Sequence, residues 1–104
     1  MNKKQIFDLI VNKCAYVCGV SAEAIKGKSR IADVVDARCL AFHFATSRQI
    51  GFTPRDIATL LCKDDPKAIR ILLNSYDDRY KRSFGFREYV LDIKSEIDKE
   101  IKGK

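Results

Sequence analysis

Thr53-Pro54-Arg55-Asp56-Ile57-Ala58-Thr59-Leu60-Leu61 carries one helix start, and about twelve residues further on Asp65-Pro66-Lys67 carries a second. In each, a short oxygen-bearing side chain precedes a proline. Thr53 or Asp65 can accept a hydrogen bond from a free N–H of the first turn, and Pro54 or Pro66 lacks an N–H that no helix would use there. Asp56 adds negative charge where the helix dipole favours it. Two capped helices joined by a short turn predict a helix-turn-helix over residues 53–76. Upstream sit a basic turn (Lys26, Lys28, Arg30) and a helix carrying Arg38. In a basic setting such a unit commonly lays its second helix in a DNA major groove.

Working outward, helical periodicity accounts for most of the chain. Ile6, Phe7, Ile10, Cys14 and Val17 recur at the spacing of a first helix from about Lys4 to Cys18, with Gly19 able to supply a left-handed stop. Ser21 is an N-cap for a short helix through Ile25. The segment from about Ile31 to Ser47 is apolar over more than one stripe, which predicts a helix at the centre of the domain. From Asp65, Ile69, Leu72, Leu73, Tyr76 and Tyr80 predict one helix, with Lys67, Arg70 and Asn74 together on another face. Ser83 and Gly85 mark a break before a last helix bearing Phe86, Val90, Ile93, Ile97 and Ile101. The expectation is a single all-α domain over residues 1–104, of five or six helices, with 84–102 as an additional C-terminal helix.

Twenty Lys and Arg against fourteen Asp and Glu leave a net charge of +6, an excess that attracts polyanions and profits from counterion release. No apolar run reaches the roughly 18 residues of a membrane span, and the amphipathic start, interrupted by Asp8, Asn12 and Lys13, excludes a signal peptide. A cytoplasmic protein with no membrane partner is expected. Cys14 and Cys18 lie four apart on one helix, poor geometry for a disulfide. With Cys39 and Cys62 they form no paired CxxC spacing, so they read as core thiols and no metal site is assigned. His43, the only histidine, lies among Phe42, Phe44 and Ala45 and reads as structural. There is no glycine-rich phosphate loop, and the acidic pairs Asp64-Asp65 and Asp77-Asp78 fall at turns or polar faces. Neither an enzyme, a cofactor nor a small-molecule substrate is predicted.

The cations divide by role. Lys26, Lys28, Arg30 and Arg38 are candidates for phosphates, because a loop and an adjoining helix let long cationic side chains converge on one strand. Lys67, Arg70 and Asn74 are candidates for groove contacts from the second helix of the motif. With about four to six phosphates neutralised, log affinity should fall against log salt with a slope near −4 to −5.

The order of these blocks resembles the C-terminal DNA-binding domain of the bacterial replication initiator DnaA, of the Trp-repressor-like helical class, over roughly Ile6 to Tyr80. That family has a basic loop ending in Arg, matched by Lys28-Ser29-Arg30, then an Ala-Arg-Gln-hydrophobic-Ala helix core, matched by Ala37-Arg38-Cys39-Leu40-Ala41. Asp56-Ile57-Ala58 stands for its Glu-Ile-Gly. Its signature Gly-Gly-Arg-Asp-His-Thr-Thr-Val is replaced by Cys62-Lys63-Asp64-Asp65-Pro66-Lys67-Ala68-Ile69. Only the Asp and the hydrophobic position survive. The resemblance implies double-stranded DNA as partner and a role in replication or transcription control. It carries Arg30 and Arg38 over as contacts, and Lys67 and Ala68 by position. The rewritten signature also admits an interaction module that has lost DNA binding. Its last helix would then present Phe86, Tyr89, Val90, Ile93 and Ile97 to a protein partner or to a second copy.

Overall fold

The computed structural model describes residues 2–102, and for the last two of these the backbone alone. It is all-helical, with no strand among the described residues: α1 Lys3–Cys18, α2 Ala22–Lys26, α3 Ala32–Ala45, α4 Pro54–Leu60, α5 Lys67–Asn74, α6 Tyr76–Arg82 and α7 Phe84–Lys102. The expected all-α domain is therefore observed. Its count rises to seven segments because the helix foreseen from Asp65 to Tyr80 is broken at Ser75. Ser75 Oγ donates to Leu72 O at 2.6 Å and accepts from Arg79 Nε at 2.9 Å. A side chain that competes for the carbonyl of a preceding turn bends or ends a helix.

Local chemistry fixes the helix ends. Asn2 and Gln5 form a reciprocal capping box at α1, which Gly19 closes at φ 69°. Ser21 Oγ accepts from Ala24 N at 3.0 Å to open α2. At α4, Thr53 Oγ1 accepts from Asp56 N and Asp56 Oδ2 accepts from Thr53 N, at 3.1 and 2.9 Å. These are two orphan donors satisfied by two neighbours. α5 starts one residue later than its signal suggests. Pro66 is the capping position, and Asp65 Oδ1 accepts from Lys67 N at 3.0 Å.

α3 packs against all six other helices. Its Ala37, Cys39, Leu40, Ala41 and Ala45 are wholly buried, which is why no single polar stripe shows in its sequence. α1 lies along it with Phe7, Ile10, Val11 and Cys14 inward, and α7 packs mainly against α1, also touching α3 and α6, with Phe86, Ile93 and Ile97 buried. Those three residues were candidates for a partner surface, and the structure corrects that reading. They are at most 4% exposed, with Tyr89 and Val90 packed beside them. The apolar face of α7 is consumed within the domain. Lys13 adds ion pairs from α1 to Glu100 and Glu96 of α7 at 3.4 and 4.0 Å. Cys14, Cys18 and Cys39 are core thiols as expected, whereas Cys62 is exposed.

Candidate nucleic-acid interface

The turn after α2, the flank of α3 and the near edge of α5 enclose an open groove of about 460 Å³. Its floor is apolar, from Val35, Phe42, Ile69 and Leu72. Five cationic side chains line it (Lys28, Arg30, Arg38, Lys63 and Arg79) and no acidic one does. Segments far apart in sequence thus bring Lys28, Arg30 and Arg38, three of the six predicted cations, to one place beside Lys63 and Arg79.

They are not equivalent. Arg38 does not pair with Asp33 or Asp36, nor does it extend to solvent. Its Nε donates to Ile25 O at 2.7 Å, Nη2 to Ala24 O at 2.9 Å and Nη1 to Ser29 O at 3.0 Å. Two of these carbonyls belong to the end of α2, where a helix leaves acceptors unsatisfied and favours a cation. Burial lowers the pKa of the guanidinium, yet an arginine keeps its charge in proteins. Three of its five N–H donors, one on each nitrogen, are used within the domain, so Arg38 shapes the basic turn from beneath. Its assignment as a direct phosphate contact is corrected on that ground.

Lys26 is likewise spent, its Nζ donating to Asp8 of α1, and it does not line the groove. Arg79 donates to Asp36 Oδ1 at 2.7 Å, so its charge is largely neutralised where it stands. Lys28, Arg30 and Lys63 make no ion pair among the described residues. These three supply the groove's unspent positive charge.

On α5, Lys67, Arg70 and Asn74 are exposed and fall within about 60° of one another around the helix axis. Ala68, about 100° from Lys67, turns to the groove together with Ile71. α5 therefore offers a polar outer face and an apolar edge. Ile71 is 60% exposed at that edge.

Sequence reasoning overlooked Lys63. The turn between α4 and α5 is six residues long. Lys63 N donates to Ala58 O at 2.8 Å and Cys62 N to Thr59 O at 3.1 Å, the hydrogen-bond pair of a Schellman stop. Cys62 takes the left-handed conformation (φ 57°) that glycine usually fills there. That reversal delivers Lys63 to the groove. The one available signal was a lysine just past a helix end with no glycine to mark it.

His43 is half-buried and stacks on Tyr76, ring centroids 3.7 Å apart and planes within 4°. Burial lowers its pKa, opposed by Asp77. It lies outside the groove, in keeping with a structural role. Comparison of the chain with protein-family models, with curated proteins and with solved structures returns no match.

Proposed function

We propose that this domain binds double-stranded DNA through the face formed by residues 27–30, Lys63 and α5, as a helix-turn-helix of the DnaA C-terminal, Trp-repressor-like class. The single observation that carries the reading is the convergence of three unpaired cations, Lys28, Arg30 and Lys63, on a groove without a carboxylate, beside a helix whose outer face bears Lys67, Arg70 and Asn74. Lys28, Arg30 and Lys63 hold phosphates. Lys67, Arg70 and Asn74 meet base edges, where Lys or Arg suits guanine and Asn suits adenine. The protein's longest dimension, 35 Å, is about one turn of B-DNA, enough for one strand to cross the groove while α5 lies in the major groove. No described helix is long and apolar enough to cross a membrane, and a cytoplasmic site of action follows from DNA as partner. A role in controlling replication or transcription rests on the resemblance alone.

Removing Arg38 and Lys26 from the phosphate contacts and adding Lys63 leaves three, so the salt slope should be about −3. The test is fluorescence anisotropy against a mixed-sequence duplex of about 20 base pairs, which exceeds one helical turn, at several salt concentrations. Lys28→Ala with Arg30→Ala should reduce the slope by about two. Duplex binding that ignores salt, or that the double variant leaves unchanged, overturns the proposal. A second reading is favoured by the groove's apolar floor and by Ile71. In it an acidic amphipathic segment of a protein partner docks in the same groove. It predicts that Ile71→Ser weakens partner binding more than Lys67→Ala does.

A further inference from the structure

Arg79-Tyr80-Lys81-Arg82-Ser83-Phe84-Gly85-Phe86-Arg87 is the most basic stretch of the chain, with four cations and no acid in nine residues. It forms the corner between α6 and α7. Ser83 Oγ accepts from Phe86 N at 3.1 Å and so sets the start of α7. That start turns Phe86 into the core, 1% exposed. Phe84, about 200° away around the helix, faces outward at 68% exposed. The same cap therefore buries one ring and presents the other.

Arg87, one turn along from Phe84, holds the presented ring. Its Nη1 donates to Tyr80 O at 2.8 Å and Lys81 O at 3.2 Å, and its guanidinium carbon lies 5.8 Å from the Phe84 centroid. One side of the ring has a cationic neighbour; most of its surface faces water. Tyr80, whose carbonyl Arg87 holds, is 40% exposed. Lys81 makes no ion pair among the described residues. Arg82 pairs with Asp78 at 3.1 Å, with both side chains well exposed. A pair of that kind is weak and easily exchanged for another anion.

Gly85 completes the corner. A Cβ there would meet only Ser83 Oγ, at 3.8 Å, and the backbone is not left-handed. Nothing in the fold requires glycine at a helical position where glycine is disfavoured. Its effect is to leave the backbone bare next to the exposed ring.

We infer that the α6–α7 corner is a binding site for single-stranded nucleic acid, with an unpaired base stacked on Phe84 and flanking phosphates on Lys81 and Arg82. An exposed aromatic face set among cations is how sequence-tolerant strands are held, since every base offers a π-face and every linkage a charge. A duplex keeps its bases stacked on one another, so the occupant is an unpaired strand. Phe84, Lys81 and Arg82 do not line the duplex-binding groove, and the inference does not depend on it.

The test is anisotropy of the full chain with labelled oligothymidylate, oligouridylate and an abasic oligodeoxynucleotide of equal length, at low salt. The base-bearing strands bind more tightly than the abasic one. Phe84→Ala weakens oligothymidylate binding by about five- to 150-fold, leaves abasic binding unchanged, and is reversed by Phe84→Tyr. The stronger of the two base-bearing strands names DNA or RNA as the source. Equal affinity for abasic and base-bearing strands, wild-type binding by Phe84→Ala, or no binding to any of the three overturns the inference. Circular dichroism of both variants checks the fold, which an outward-facing ring does not support.

Discussion

At residue 38 a guanidinium does work that its position in the sequence disguises. Arg38 resembles a phosphate contact on paper because its neighbours are basic, and a carbonyl and a phosphate oxygen attract the same donors. Only the approach of α2 to α3 decides between them, and that approach is tertiary. Arg38→Ala removes a donor from the carbonyls of Ala24, Ile25 and Ser29, of which Ala24 O keeps Gly27 N at 3.1 Å. A loss of roughly 2–4 kcal/mol in urea unfolding is expected, hydrogen bonds to a charged group being the stronger kind. Arg38→Lys recovers less than half, because one ammonium cannot follow a planar fork of donors. Lys28→Ala and Arg30→Ala should move stability by no more than about 0.5 kcal/mol while weakening duplex binding. If Arg38→Ala leaves stability intact and lowers DNA affinity alone, its capping role is wrong. The thiols divide in a similar way. Burial raises the pKa of Cys14, and pushes Cys18 up to about 12 and Cys39 up to about 11, while Cys62 is exposed. One thiol should therefore react promptly with a disulfide reagent in the native protein and the other three only on unfolding.

Among the elements, what the sequence displayed was chiefly caps. Thr53 with Asp56, Ser21 and Gly19 each act at the scale of one turn, so their effect is readable without knowing what the helix packs against. The break at Ser75 is of another kind. Serine is tolerated in helices, and the stretch Lys67–Tyr80 has an unbroken apolar stripe. There the Ser75 hydroxyl competes for Leu72 O while Arg79 reaches both Ser75 and Asp36 of α3, and no local pattern records that last contact. The turn between α4 and α5 shows the same limit, because a left-handed Cys62 lacks the glycine that would have announced the stop and pointed to Lys63. That strain is testable. Cys62→Gly should raise stability by roughly 0.5–1 kcal/mol, the relief of a left-handed side chain less the entropy of glycine in the unfolded chain. Cys62→Val should lower it, since β-branching suits that conformation least. Urea midpoints in the reverse order would mean that the turn is not left-handed in solution.

For the molecule as a whole, pH reports on how the core was assembled. His43 has its folded pKa lowered from the ordinary 6.5 by burial. Below that value the unfolded chain binds a proton that the folded chain resists, so stability rises with pH up to about 6.5 and then levels off. Asp56 has its pKa lowered from 3.8 by the Thr53 N–H and then by Lys3. Its contribution is present above 3.8 and is lost as pH falls below that value. Cys14, Cys18 and Cys39 act from the other side. Their folded values are raised above the ordinary 9.0, so above it the unfolded chain releases protons that the folded one keeps, and stability falls. Together these predict a dome with its maximum between about pH 7 and pH 9. The two limbs can be assigned separately by urea unfolding across pH 4 to 10. His43→Gln should flatten the slope just below about pH 6.5, whatever it does to stability at its maximum, and should leave the alkaline limb in place. Cys39→Ala should reduce the alkaline limb and leave the acid one. A slope below pH 6.5 that persists unchanged in His43→Gln would mean that His43 is not desolvated against Tyr76, and that the acid limb belongs to carboxylates and to the growing positive charge of an already basic chain.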